Sequence, residues 1–232
     1  MPGPVLGLST SGVAAVGLWL PGGEPVRAAS VAPRAHTEEL TPLVARVLDQ
    51  AGLAPRDLAG IGVGTGPAPY TGLRIGLVTA RALGFALAVP VWGVSDLDGL
   101  AVAAARGLGL APGSCLGVVT DAKRREVYWA VYRVDPVAPG GVALAAGPAV
   151  GAPAAVASEL AGHGVAATVG AGAALYSEQF EAAPGGPQAV DPVLLAELAW
   201  QRAQAGLPVS TEPLYLRRPD VAAPTPRKRA TT

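Results

Sequence analysis

Between Gly64 and Ala88 the chain reads GTGPAPYTGLRIGLVTARALGFALA, and no other stretch restricts its folding so strongly. Small residues recur every four positions at Gly72, Gly76, Ala80, Gly84 and Ala88. A glycine inside a helix costs about 0.5–1 kcal/mol relative to alanine, so repeated glycines point to something that must approach closely. The stripe drifts by about 40° per step at 3.6 residues per turn. Leu73, Ile75, Leu77, Val78, Leu83, Phe85 and Leu87 fill most other directions, leaving Arg74, Thr79 and Arg81 as the polar positions. A helix apolar nearly all round is buried on more than one side. Either it is a central helix covered within the molecule, or a second protein covers its other face. Thr71 is the expected cap after a Gly66-Pro67 turn, and the helix is expected to stop before Pro90.

The same glycines raise the question of a phosphate loop, which spacing answers. A P-loop needs a Gly-Lys pair so that backbone N–H groups and a lysine reach the phosphates, and the chain has no such pair. The G-x-G-x-x-G form fails because Pro69 and Pro67 stand where a third glycine is needed, counting from Gly64 and Gly62. Metal chemistry lacks its usual signature as well. His36 and His163 are far apart, and the single Cys115 supplies neither a ligand set nor a disulfide framework. No G-x-S-x-G elbow occurs, and Asp96 and Asp98 are expected to serve as helix-start caps.

Elsewhere, short β-type runs alternate with helical segments. PVLGLST and VAAVGLWL suggest a hairpin turning at Ser11-Gly12, and Arg27 to Val31 a further strand. HTEELTPLVARVLDQAG is helical in spacing, with Thr37 as cap and Glu38 and Glu39 at the positive end. APGSCLGVVTDAKRREVYWAVYRVD forms two strands around a charged turn, the Pro/Gly-rich segment 136–157 reads as loop, and a strand and helix follow. A mixed α/β pattern thus recurs, as two lobes meeting at a cleft would require. With 232 residues, 17 basic and 17 acidic, no global field draws the protein to nucleic acid or membrane. The start MPGPVLGLST is unlike a signal peptide, so a soluble, cytoplasmic protein is expected.

GPAPYTGLRIGLVTARALGFALAVPVWGVSDLDGLA taken whole resembles the TsaB (YeaZ) family of bacterial tRNA threonylcarbamoyladenosine biosynthesis proteins. That family's central pattern is G-P-G-S-F-T-G-L-R-I-G, a small-residue helix, and G-V-S-S-L. VLGLSTS, AHTEELTPLV, DAKRREVYWAVY, VGAGA and PLYLRRPD are similar to further family segments, so the resemblance covers residues 5–220. It implies a two-lobed α/β fold of the actin, sugar kinase and Hsp70 ATPase type (ribonuclease H-like), with mixed sheets flanked by helices. The lobes are expected at 1–110 and 111–216, followed by a basic tail, 217–232, that reads as disordered.

The resemblance also implies a non-catalytic paralogue and partner of TsaD. TsaD moves the threonylcarbamoyl group to adenosine 37 (t6A) of tRNAs reading ANN codons, and the ATPase TsaE joins the pair. Partner contacts are expected at Leu40, Val44, Thr71, Gly72, Leu73, Arg74, Gly76, Leu77, Ala80 and Gly84, with a homodimer in isolation through a similar surface and tRNA met through the complex. No catalytic residue and no metal are expected. ATP or ADP belongs to the complex, with Thr10, Ser11, Gly12, Gly170 and Gly172 as candidate nucleotide contacts. Ser9 replaces the aspartate of the family's opening I-D-T-S, and Ala68-Pro69 replaces Gly-Ser. The rival reading is an ATP-hydrolysing or sugar-kinase-like enzyme that uses the interlobe cleft through Thr10 or Asp121. The tail APTPRKRATT is a candidate RNA-contacting arm.

Overall fold

The computed structural model describes residues 3–31 and 36–217, without the side chains of His36 and Thr37. The expected Thr37 cap and the tail from Arg218 onward lie outside the described residues. Two mixed sheets form the frame. The first contains β1 (Val5–Ser9), β2 (Ala15–Trp19), β3 (Val26–Ala29), β4 (Gly60–Gly64) and β5 (Val91–Val94), in the order β3-β2-β1-β4-β5. The second contains β6 (Cys115–Asp121), β7 (Val127–Val134), β8 (Val142–Gly151) and β9 (Val165–Val169), in the order β8-β7-β6-β9.

Their wiring is the same. In each, a three-stranded antiparallel meander is extended by a strand parallel to its first member, β4 beside β1 and β9 beside β6. Parallel neighbours need a crossover, and helices supply it: α1 (His36–Ala51) and α2 (Tyr70–Leu87) in the first sheet, α4 (Pro153–Gly162) in the second, where α5 (Ala171–Leu175) follows β9 and packs on β6. The repetition expected from sequence is therefore present.

Two readings are corrected in detail. The β1–β2 connection occupies residues 10–14, and Gly12 does not adopt a positive φ. The segment read as loop contains β8, an edge strand, where proline is tolerated because an unpaired N–H is not required. The β7–β8 register shifts between Trp129 and Val131, opposite the stretch holding Gly147 and Pro148, so a bulge absorbs the breakers.

Two helices lie between the sheets. α3 (Asp96–Gly107) packs on β6, β7 and β8, whereas α6 (Pro192–Gln204) returns to β1, β2, β4 and β5. Its seat is a row of glycines. Gly17, Gly7 and Gly62 stand side by side across three strands. A Cβ at Gly7 would collide with the Pro192 carbonyl, one at Gly17 would lie 2.7 Å from Val193, and one at Gly62 2.9 Å from Ala196 Cα. Side chains there would hold α6 off the sheet. Arg27 on β3 grips Asp191, the α6 N-cap, through Nε at 3.0 Å and Nη2 at 2.8 Å. On the opposite face of the first sheet, Leu6, Leu8, Val16, Leu18, Ile61 and Val63 join α1 and α2 in one core. Among the described residues no helix is long and apolar enough to cross a membrane.

Candidate functional site

α2 starts at Tyr70 with Pro69 as N-cap and no side-chain capping bond, so Thr71 does not cap; it is exposed. The helix ends on Ala88 in the left-handed conformation (φ 53°), whose N–H reaches the carbonyls of Gly84 and Phe85. Leu73, Gly76, Leu77, Ala80 and Gly84 all point into the protein's own core. A Cβ on Gly76 already crowds Thr10 Oγ1, and one on Gly84 crowds Val91 Cγ2.

This corrects the expected partner surface. Leu40, Val44, Leu73, Gly76, Leu77, Ala80 and Gly84 are buried within one chain and present nothing to a partner. Of the expected contacts, Thr71 and Arg74 are exposed and Gly72 is half-buried. The small-residue stripe exists for close approach, as its composition indicated, but what approaches is the first lobe's own β1–β2 loop and β5.

The outward face is made of other residues. Phe85 is 91% exposed and Val78 64%, with Ala82 and Ala86 exposed beside them. Thr71, Val78 and Phe85 are spaced by seven, a step that drifts only about 20° around a helix, so they form one line. That spacing was available in the sequence, masked by the more conspicuous glycine stripe.

A strap of chain runs along α2 toward the second lobe. Gly93 N–H donates to the Val209 carbonyl and Leu214 N–H to that of Thr65, both at 2.8 Å. Arg81 reaches the Thr211 carbonyl and Glu212. Tyr215 stacks on Tyr70 with ring centroids 4.6 Å apart, and its hydroxyl accepts from Arg74 Nε at 2.8 Å. Arg74 is therefore engaged by the strap. Tyr70 donates to the Arg217 carbonyl at 2.7 Å, while Arg217 pairs with Glu126 and donates to the Ala122 carbonyl.

The lobes also enclose a cavity of about 290 Å³, lined by Ser9, Ser11, Gly12, Pro67, Ala68 and Pro69 from one side and Thr120, Asp121, Lys123 and Ala171 from the other. Asp96 forms its floor. The capping role expected for Asp96 and Asp98 belongs to Ser95, whose Oγ accepts from Leu97 N–H. Asp96 turns inward instead, accepting from Ser9 Oγ at 2.9 Å, Ser11 Oγ at 3.0 Å and Gly66 N–H at 2.6 Å. Burial pushes its carboxyl above the usual range, against those hydrogen bonds, which hold it down. Ser9, standing where the resembled pattern carries aspartate, is thus a donor to a carboxylate supplied from α3. Asp98 accepts from Tyr132 at 2.5 Å and Arg202 at 2.6 Å, tying α3 to β7 and α6.

Of the nucleotide candidates, the fold brings Ser11 and Gly12 to the cavity. Thr10 is buried against Gly76 instead, and Gly170 and Gly172 are packing glycines. Gly170 has φ +99° and, like Gly172, has no room for a Cβ against the backbone of β6. Among the described residues, no three His, Cys, Asp or Glu side chains converge as a metal site.

A solved YeaZ from Pseudomonas aeruginosa is similar to this structure with a TM-score of 0.75 and 31% identity, over 93% of this chain and 100% of that one. A family model described as TsaD, tRNA N6-adenosine threonylcarbamoyltransferase, matches residues 29–179. The chain belongs to the TsaB (YeaZ) family. An uncharacterized protein of Mycobacterium bovis is 42% identical over 192 residues, 82% of this chain and 79% of the relative. TsaB of Escherichia coli, described as a tRNA threonylcarbamoyladenosine biosynthesis protein, is 36% identical over 103 residues, 44% of this chain and 43% of that protein. The TsaB family is thus one of tRNA threonylcarbamoyladenosine biosynthesis, and the two-sheet α/β architecture is its fold.

Proposed function

We propose that this TsaB-family chain is a non-catalytic partner subunit of TsaD in threonylcarbamoylation of adenosine 37 of tRNAs reading ANN codons. The observation that carries the proposal is the outward line of α2. Single exposed apolar residues need no explanation. Here Val78 and Phe85 share one line of a helix whose opposite face is already filled, with alanines beside them at 82 and 86 and with Arg81 turned to the strap at Thr211 and Glu212. A large apolar side chain flanked by small ones offers a partner an anchor and close approach, the pattern of an interface centre. The descriptions borne by the matched model and by E. coli TsaB support the choice of partner and pathway.

On this reading TsaE joins the TsaD pair, the isolated chain forms a homodimer through the same face, and ATP or ADP acts within the assembled complex, in the cytoplasm. Affinity capture with the purified chain tests it. Wild-type protein should recover TsaD and TsaE from native lysate, and Val78→Glu/Phe85→Glu should recover neither while melting like the parent. Undiminished capture by the folded variant, or saturable ATP turnover by the isolated chain, would overturn the proposal.

A further inference from the structure

The strap engages Arg74, Arg81 and Arg217, and it treats the first differently from the other two. Arg81 is paired with Glu212 and Arg217 with Glu126, so a carboxylate neutralises each of them. Arg74 is held by tyrosines instead. Its Nε donates to the Tyr215 hydroxyl at 2.8 Å, and its guanidinium carbon lies 5.6 Å from the Tyr70 ring centre and 5.7 Å from that of Tyr215. A hydroxyl and two ring faces hold a cation in place, but they bring no negative charge to cancel it. Neither Nη atom of Arg74 has a hydrogen-bond partner among the described residues, and the residue is exposed.

The result is a guanidinium fixed at one nitrogen and open at the other two. Arginine recognises a carboxylate or a phosphate through two parallel N–H bonds, and a pre-set fork loses less freedom on binding than a loose side chain does. The Tyr70–Tyr215 stack, with ring centres 4.6 Å apart, supplies that setting. The helix supplies the neighbours. At 3.6 residues per turn, Arg74, Val78 and Phe85 lie within about 40° of one another around α2 and within about 16 Å along it. Val78 and Phe85 are the exposed apolar part of that strip, and Tyr215, 39% exposed, widens it at the Arg74 end. Arginine and tyrosine beside apolar anchors are the residue types that dominate binding at interface centres.

We propose that the Arg74 fork receives an Asp or Glu side chain of TsaD, an inference that rests on the partner-subunit reading. A protein carboxylate suits this place better than an RNA phosphate. Nucleic acid is held by several cations acting together, and here Arg81 and Arg217 are already paired. The apolar strip that continues from the fork is what a protein surface covers. Tyr215 is then a positioning residue that aims Arg74, and the segment PLYLRRPD in which it lies acts on the interface through the helix.

Titration of purified, nuclease-treated TsaD against the full chain tests this. Every variant used should stay folded by thermal melting, since Arg74, Arg81 and Tyr215 are all exposed. Arg74→Gln should weaken binding about thirtyfold, and Arg74→Glu about tenfold further, because it sets one carboxylate against another. Arg74→Lys should recover little of the loss, as an ammonium has neither the fork nor the flat face. Tyr215→Phe keeps the ring stack but releases Nε and should cost about threefold. Arg81→Gln cuts another tie between strap and helix while leaving the fork, and should stay within about twofold of the parent. Wild-type affinity in Arg74→Gln, or equal losses in Arg74→Gln and Arg74→Glu, would overturn the proposal. Equal losses in Arg74→Gln and Arg81→Gln would also overturn it, by making Arg74 a support of the strap alone. Weaker tRNA binding by the reconstituted complex, with TsaD affinity unchanged in Arg74→Gln, would overturn it in favour of a phosphate. A folded wild-type chain that does not bind TsaD is a separate result: it refutes the partner reading, and this inference with it.

Discussion

The two faces of α2 are built from similar residues and do opposite work. On the inner face Gly76, Ala80 and Gly84 bring the helix against Thr10 and Val91 with no room for another carbon. On the outer face Ala82 and Ala86 flank Val78 and Phe85, which touch solvent. The inner residues are small because a sheet of the same chain is near, while those outside leave a large side chain standing clear. A small-residue stripe therefore locates the nearest packed neighbours, here the Thr10 and Val91 side chains, and the exposed apolar residue locates the surface available to a partner.

The contrast is broken most directly from within. Gly76→Leu should destabilise by about 3 kcal/mol or more, since overpacking typically costs 1–3 kcal/mol and here the added carbons meet the β1–β2 loop; urea unfolding reads the change. Loss of TsaD capture in that variant would report unfolding, not contact. Ser9→Asp should cost about 2 kcal/mol at neutral pH, because it sets a second carboxylate beside Asp96 below the turn that leads into α2. Adding Asp96→Ser should recover most of that loss, and additive effects in the double-mutant cycle would refute a direct coupling.

Asp96→Asn isolates the buried charge. The folded carboxyl is raised, so its favourable contribution is fully present below the ordinary pKa of about 4 and is lost as pH rises through the folded value. The hydroxyls of Ser9 and Ser11 can reverse roles and donate or accept as the amide requires. The variant should gain on the parent as pH rises above about 4, and parallel stability curves across that window would contradict it. Phe85→Glu should have the smallest effect on folding, within about 0.5 kcal/mol, together with a complete loss of TsaD capture. A large drop in its melting midpoint would show that the outer face is structural after all.

Much of the architecture was legible because it is local. The 3.6-residue periodicity of Leu40 to Ala51, the charged turn between two alternating strands and the repeated strand–helix order all survive as elements. The strand β8 was concealed because Gly147 and Pro148 are punctuation in sequence but a bulge in an edge strand. The site was legible only in part. The chain announced that α2 must be approached closely, yet which lobe approaches it depends on where β1 and β5 lie. Asp96 read as a cap because its partners, Ser9 and Ser11, are 87 and 85 residues away. Phe85 was the recoverable omission, since its seven-residue step from Val78 needs nothing beyond helical geometry.

The glycine row across Gly17, Gly7 and Gly62 has a consequence for the order of events during synthesis. Its occupant, Pro192–Gln204, is made long after the last strand of that sheet, Val91–Val94, so the first sheet is complete in strands well before one of its faces is covered. The lobe made first cannot close first. Until α6 arrives, the groove is a stretch of open backbone, and a chain halted before residue 192 would present it to whatever strand or helix came near. Contacts so distant along the chain slow folding, and they make the docking of α6, which also packs on α3, the step that commits both lobes together.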